Sequence, residues 1–260
     1  MNLEDLSTQL LFTTVPIWVE KVNGETSGGT AFVYNFQVSE QEGQSIPLLI
    51  TNYHVVANAR RALIELVERN GSRPKESRIR AEMSAELVTS FIDEELDLAA
   101  IPLGPLLNQL ESSQQPIFFR SFGPELIPGP EVLNDLAALE EVVFIGYPSG
   151  LRDQKSGMPI IRRGITASPV WNDFDNTPSF LVDAGVFPGS SGSPVFILNQ
   201  GSYATKDGIA FGNRLLFLGV ITESMLRIEG NEKAYLGLGK VIKSSALRSF
   251  VESVVSRMQH

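Results

Sequence analysis

Apolar and polar positions alternate with a period of two through most of this chain, in short segments separated by turn residues. Residues 17–22 (Ile-Trp-Val-Glu-Lys-Val) end at Asn23-Gly24, the dipeptide most favoured in two-residue hairpin turns. Residues 28–34 read as the returning strand and residues 47–52 as a third. Residues 62–68 and 78–92 alternate as well, separated by Asn70-Gly71-Ser72-Arg73-Pro74, and Asp93-Glu94-Glu95-Leu96-Asp97 opens into the apolar run 98–101. Half a dozen short strands with turns between them predict a closed antiparallel barrel or a sandwich.

The rhythm breaks over residues 104–138, which hold prolines at 105, 116, 124, 128 and 130 and read as a surface connection. Short apolar segments then resume at 142–146, 160–161, 165–167, 179–182, 195–198, 215–221 and 234–241, a second β unit of similar size. Residues 244–258 switch to helical spacing, with Leu247, Phe250, Val251, Val254 and Met258 on one face behind a serine cap. A short amphipathic helix is expected within residues 1–13. The expected organisation is an N-terminal segment (1–14), a first β unit (15–120), a linker (121–138), a second β unit (139–243) and a C-terminal helix (244–260). The class is all-β.

Composition narrows the chemistry. Hydrophobic residues make up 43% and charged residues 20%, the balance of a globular protein. A net charge of −9 disfavours nucleic acid and anionic membrane as partners. With no cysteine there is no disulfide, thiolate ligand or cysteine nucleophile, and with only His54 and His260 no histidine-built metal site. No cofactor is expected. The acidic, interrupted N-terminus does not read as a signal peptide and no run approaches membrane-spanning length, so the expected location is cytoplasmic.

Three residues stand out against the β pattern. Ser191 lies in Gly189-Ser190-Ser191-Gly192-Ser193-Pro194, a glycine-rich turn that enters an apolar strand and can aim amides and a hydroxyl at one spot. Taken alone, that turn is as consistent with an ordinary hairpin loop; a phosphate-binding loop is excluded because no Gly-Lys-Ser/Thr follows. His54 closes the strand before it and is the only internal histidine, hence the natural general base. Asp97 differs from its acidic neighbours in sitting at the mouth of a buried strand, where a carboxylate can orient an imidazole.

The order His, Asp, Ser, carried by TNYHVV, ELDLAAIPL and DAGVFPGSSGSPV, resembles the trypsin/chymotrypsin-like serine peptidases, in particular their cysteine-free Deg (high-temperature-requirement) branch. The segment 144–151 (FIGYPSGL), the strand 218–222 (LGVIT) and residues 236–239 (LGLG) are similar to that branch too, and the likeness runs over about residues 15 to 255. It implies that Ser191 attacks a scissile carbonyl, His54 moves the proton and Asp97 orients His54. It further implies an oxyanion hole from the amides of Gly189 and Ser191, a glycine at 189 leaving room for the carbonyl. The fold it implies is two six-stranded antiparallel β-barrels of chymotrypsin type with a C-terminal α-helix, the first β unit carrying His54 and Asp97 and the second Ser191, and the substrate would be a protein or peptide.

The departures from the family pattern carry information of their own. Ser190 stands where digestive enzymes carry an Asp that pairs with a freed N-terminus, so activation by N-terminal insertion is not expected, and Ser193 stands where Gly is usual. Gly185, with Thr222, Glu223, Ser224 and Gly237, would form the substrate pocket. Lacking Asp at 185, it favours small or apolar side chains over Lys or Arg. No peptide-binding module is expected after residue 258, and the oligomeric state is not legible. Residues 104–138 and the loop 152–163, with Lys155, Arg162 and Arg163, leave room for a regulatory protein partner, though the basic loop reads most simply as a solvated turn. The rival readings are a catalytically silent peptide- or protein-binding module and an esterase on the same nucleophile.

Overall fold

The computed structural model describes residues 1–39, 44–229 and 232–259; His260 lies outside the described residues. The first sheet is built from β1 (Thr14–Lys21), β2 (Thr26–Ser39), β3 (Gln44–Thr51), β4 (Ala59–Asn70), β5 (Arg73–Ser84), β6 (Phe91–Asp93), β7 (Leu98–Pro102) and β8 (Ile117–Phe118). Its order is β5-β4-β1-β2-β3-β7-β6, with β8 added on β4. In the second unit, β9 (Glu141–Gly146), β10 (Ile160–Thr166), β11 (Ser179–Asp183), β12 (Pro194–Asn199), β15 (Arg214–Glu229) and β16 (Glu232–Lys243) close a barrel in the order β10-β11-β16-β15-β12-β9. The hairpin β13 (Ser202–Thr205) and β14 (Gly208–Phe211) stands apart from it.

The all-β class, the six-stranded second barrel and the C-terminal helix follow the period-two and helical patterns. Among the described residues the first unit is an eight-stranded sheet in an open order where a six-stranded barrel was expected; β6 and β8 are two or three residues long and too short for periodicity to register. Among the described residues the α-helices are α1 (Leu6–Leu10), α2 (Tyr53–Val56), α3 (Ala85–Val88), α4 (Gly104–Ser112), α5 (Pro130–Asp135) and α6 (Ser244–Met258). In α4 the proline read as a breaker sits at the helix start, where its fixed φ and missing N–H cost nothing, and Leu106 and Leu110 bury the i, i+4 face. On α6 the buried face is Leu247, Phe250, Val251, Val254 and Val255; Met258 is 39% exposed, and the N-cap is Lys243 rather than a serine.

Each unit has its own interior, and a third apolar cluster joins them. That cluster packs Phe32, Leu48 and Ile50 of the first sheet against Phe196, Phe217 and Val220 of the barrel and against α6. Phe122 sits in its middle, stacked on Phe32 with centroids 5.3 Å apart and edge-on to Phe196 at 5.1 Å. The expected surface connection is therefore partly core, and burying a phenylalanine there contributes about 2–3 kcal/mol. The two β units are held face to face, and the cleft between them carries the residues singled out by the sequence.

Candidate active site

The histidine and the aspartate are brought together by strand register. β3 pairs with β7, setting Thr51 opposite Ala99, so the residues after β3 run alongside those before β7. Asn52 and Tyr53 both bond the carbonyl of Asp97, through Nδ2 at 2.9 Å and the backbone N–H at 3.2 Å. Asp97 itself has φ of 54°, a left-handed conformation that Asp tolerates better than most residues. That twist turns the carboxylate onto His54: Oδ1 accepts the His54 backbone N–H at 2.9 Å and Oδ2 meets Nδ1 at 2.8 Å. A carboxylate there places the imidazole proton on Nδ1 and leaves Nε2 able to accept one. Val55 and Val56 anchor the turn from below while His54 stays half exposed. Beside it, the Tyr53 phenol is held above its usual range first by its hydrogen bond with the Glu94 carboxylate.

The serine turn is built from backbone. Thr30 N–H donates to the Ser191 carbonyl at 2.8 Å, and Thr30 Oγ1 donates to the Gly189 carbonyl at 3.1 Å while accepting the Tyr147 N–H at 3.0 Å. The Pro188 carbonyl accepts from Ser149 N–H at 2.6 Å and the Ser190 carbonyl from Ser193 N–H at 3.0 Å. In a trans peptide the C=O and the following N–H point in opposite directions. The Gly189 N–H is thus turned away from Ser149 and the Ser191 N–H away from Ser193, and neither amide meets a protein acceptor among the described residues. Two unengaged amides flanking a hydroxyl are what an oxyanion requires.

Gly189 has φ of 87°, and a Cβ there would lie 2.7 Å from both the Tyr147 carbonyl and the Ser149 amide. The glycine is demanded by the 147–150 turn behind it, a different reason from the substrate clearance the sequence suggested. Ser190, expected to matter as a missing acid, is 1% exposed, and its hydroxyl has no partner among the described residues.

His54, Asp97 and Ser191 line one open cavity of about 370 Å³ with Pro188, Thr222, Glu223, Ser224 and Leu226. Larger cavities beside α4 (about 470 Å³) and beside β13 and β14 (about 530 Å³) have neither histidine nor serine in their walls. Ser191 Oγ donates to the Thr222 carbonyl at 3.2 Å, and the Thr222 hydroxyl donates to Asp97 Oδ2. Of the five residues expected to shape a substrate pocket, Thr222, Glu223 and Ser224 line this cavity. Gly185 and Gly237 are not in its walls and bond each other, Gly185 N–H to the Gly237 carbonyl at 2.7 Å. Val186, next to Gly185, is 2% exposed, with a methyl where a Cβ on Gly239 would fall, and Ser224 Oγ donates to its carbonyl at 3.0 Å.

The basic loop is in part the solvated turn its composition suggested, with the Lys155 and Arg163 side chains exposed, but other residues of it are tied down. Arg152 pairs with Glu65 of β4 at 2.7 Å and lies over the Trp18 ring at 4.9 Å; Arg78 Nε donates to the Ser156 carbonyl at 2.7 Å. Arg162 belongs to β10, where Nη1 donates to the Gly185 carbonyl at 2.7 Å and the guanidinium rests against the Phe187 ring. Thr30 supports the site but was missed by pattern reading, and Thr222 was read only as a pocket wall, since the hydrogen bonds they make reach 31 to 159 positions along the chain and leave no local signal. Among the described residues no three or more of His, Asp or Glu gather as a metal site.

Comparison with known proteins places this geometry in context. The trypsin-like peptidase domain family matches residues 29–203. A curated relative, putative protease Do-like 13 of Arabidopsis thaliana, is 33% identical over 165 residues, 62% of this chain and 28% of that protein, so the match spans under a third of the relative's length. Among solved structures, an HtrA-type protease with a tripeptide is similar in fold, with a TM-score of 0.55 at 17% identity over 98% of this chain and 64% of that one. A thermostable serine protease from an extremophilic microorganism aligns over 93% of this chain and 96% of its own, at 16% identity and a TM-score of 0.49.

Proposed function

The chain belongs to the trypsin-like peptidase family, and we propose that it is a serine endopeptidase acting through Ser191, His54 and Asp97. The observation that carries this reading is the Asp97–His54 pair, 2.8 Å from Oδ2 to Nδ1, opening into the same cavity as Ser191 and its two unengaged flanking amides. In the proposed cycle the Ser191 hydroxyl leaves the Thr222 carbonyl and gives its proton to His54 Nε2 as Oγ attacks the scissile carbonyl. The resulting oxyanion is held by the N–H groups of Gly189 and Ser191. His54 then protonates the leaving amine, water hydrolyses the acyl-enzyme by the reverse proton route, and Asp97 stabilises the imidazolium throughout. Ser224 of the cavity wall is held by the carbonyl of the buried Val186, and with glycine rather than an acid at 185 the reading keeps small or apolar side chains just before the cut.

One observation favours the second reading, a silent peptide- or protein-binding module: the Ser191 hydroxyl is engaged with the Thr222 carbonyl rather than with His54. A fluorophosphonate probe separates the two. The peptidase reading expects covalent addition to Ser191 that is lost in Ser191→Ala and in His54→Ala; folded protein that takes up no probe leaves the binding module.

A further inference from the structure

The orientation of the Gly189 amide depends on one hydrogen bond, the 2.6 Å contact from Ser149 N–H to the Pro188 carbonyl. If the Pro188–Gly189 peptide rotated by half a turn, the carbonyl would face the cleft and one of the two anion donors would be gone. Ser149 does not hold its own position cheaply. Its φ is 51° and that of Gly150 is 70°, and a non-glycine residue in the left-handed region costs on the order of 1 kcal/mol or more, so such a turn persists only where its surroundings impose it.

What imposes it comes from the other β unit. Two residues past the turn, Arg152 Nη1 reaches Glu65 Oε2 at 2.7 Å, with Nη2 at 3.5 Å from Oε1. Both partners are withdrawn from solvent: the side chain of Glu65 is 7% exposed and that of Arg152 is 22% exposed. The guanidinium plane is further fixed over Trp18 of β1. A second arginine, Arg80, shares the same carboxylate at 2.8 Å but is 73% exposed and touches nothing in the turn. The contact is an ion pair with one long hydrogen bond, from Nη2, while Nη1 sits close to Oε2 without an aligned one. Such a buried pair adds little net stability, because desolvation offsets most of the attraction, yet it ties the two chain segments together.

We propose that Glu65 and Arg152 are positioning residues for the anion site: their pair clamps the 148–152 turn to the first sheet, and the turn, through Ser149 and Pro188, aims the Gly189 N–H. The device ties the amide of the serine-bearing barrel to the sheet that carries His54 and Asp97. It rests on the peptidase reading and adds to it the cause of the amide's orientation.

The test is transition-state affinity against ground-state affinity in Glu65→Gln, Arg152→Lys, Arg152→Gln and the Glu65→Gln/Arg152→Gln pair. A peptide boronate joins Ser191 covalently and places an oxygen in the anion site; the matching product peptide does not. Boronate affinity and kcat should fall together by roughly tenfold to a hundredfold, somewhat less than complete loss of an oxyanion donor, with KM and product-peptide affinity within about twofold. The double variant should be no worse than the worse single, since both break one contact. Arg80→Ala should stay within about twofold of the parent in all of these. Arg152→Lys keeps the charge and most of the stem, so it remains informative where Glu65→Gln fails to fold. Boronate affinity unchanged in folded Arg152→Lys and Arg152→Gln, or boronate and product peptide weakened equally, overturns the proposal. A parent chain that takes up no fluorophosphonate defeats the peptidase reading instead, which keeps the two failures apart.

Discussion

The hydroxyl of Thr222 donates to Oδ2 of Asp97, the same oxygen that meets the His54 imidazole. Thr222 is on β15 of the barrel and Asp97 belongs to the first sheet, so one hydrogen bond across the cleft helps fix the orientation of the carboxylate. Thr222 was expected only as a pocket wall. Replacing it by valine keeps the shape and removes the donor. A hydrogen bond to a charged group is worth about 1.5–3 kcal/mol, so kcat/KM for a peptide substrate should fall roughly tenfold or more while the melting temperature changes little. Undiminished kcat/KM in Thr222→Val would show that Asp97 is held without it.

Asp97→Asn is the sharper test of the acid. Asn also tolerates a left-handed backbone and leaves the Asn52 and Tyr53 bonds to the main-chain carbonyl intact, so the fold should survive. The amide, however, offers an N–H or a weaker acceptor to Nδ1 and favours the wrong tautomer, for a loss of about four powers of ten in kcat. Steady-state kinetics with a folded variant, checked by circular dichroism, decides it.

Val186→Ala should deepen the pocket. The buried valine packs its methyl against Gly239 of β16, and its carbonyl holds Ser224 of the cavity wall, so on the peptidase reading its truncation should make room for a larger side chain just before the cut. Cleavage of a peptide library should shift from small residues toward Leu or Met, at a stability cost of about 2 kcal/mol for the lost packing. A profile that does not move between parent and variant counts against Val186 as the limit on size.

Asp5 provides a pH dependence whose sign can be worked out. The Ser7 hydroxyl, then the Thr8 N–H and the Gln200 side chain, donate to its carboxylate and hold its pKa down to about 2 from 3.8. A depressed folded-state pKa contributes stability that is present above 3.8 and lost as the pH falls from there toward 2. The difference in melting temperature between the parent and Asp5→Ala should therefore be constant in neutral solution and shrink across that acidic window. A difference that widens on acidification contradicts the assignment.

How far the sequence could be read depended on whether the signal was local. The period-two segments, the Asn23-Gly24 turn and the α6 spacing each arise from residues within one element, where burial of one face writes itself directly into the pattern. The misplaced elements fail for the same reason in reverse. β6 and β8 are too short to show a period, α4 hides behind a proline that starts it, and Phe122 sits in a proline-rich stretch yet fills the core between the two units.

The sequence by itself determined the all-β class, the two successive β units and the three side-chain types, in order, on which a peptidase reading rests. Only the tertiary structure decided that Asp97 meets Nδ1 of His54, that Ser191 rests on the Thr222 carbonyl and that Gly189 is a glycine because of the turn behind it. It alone joined Glu65 to Arg152, 87 positions apart, and Thr30 to Gly189, 159 apart. The physical reason is that hydrophobic patterning records which face of an element is buried, whereas hydrogen bonds between elements depend on strand register and on how the two β units dock, and neither is written in any local stretch of the chain.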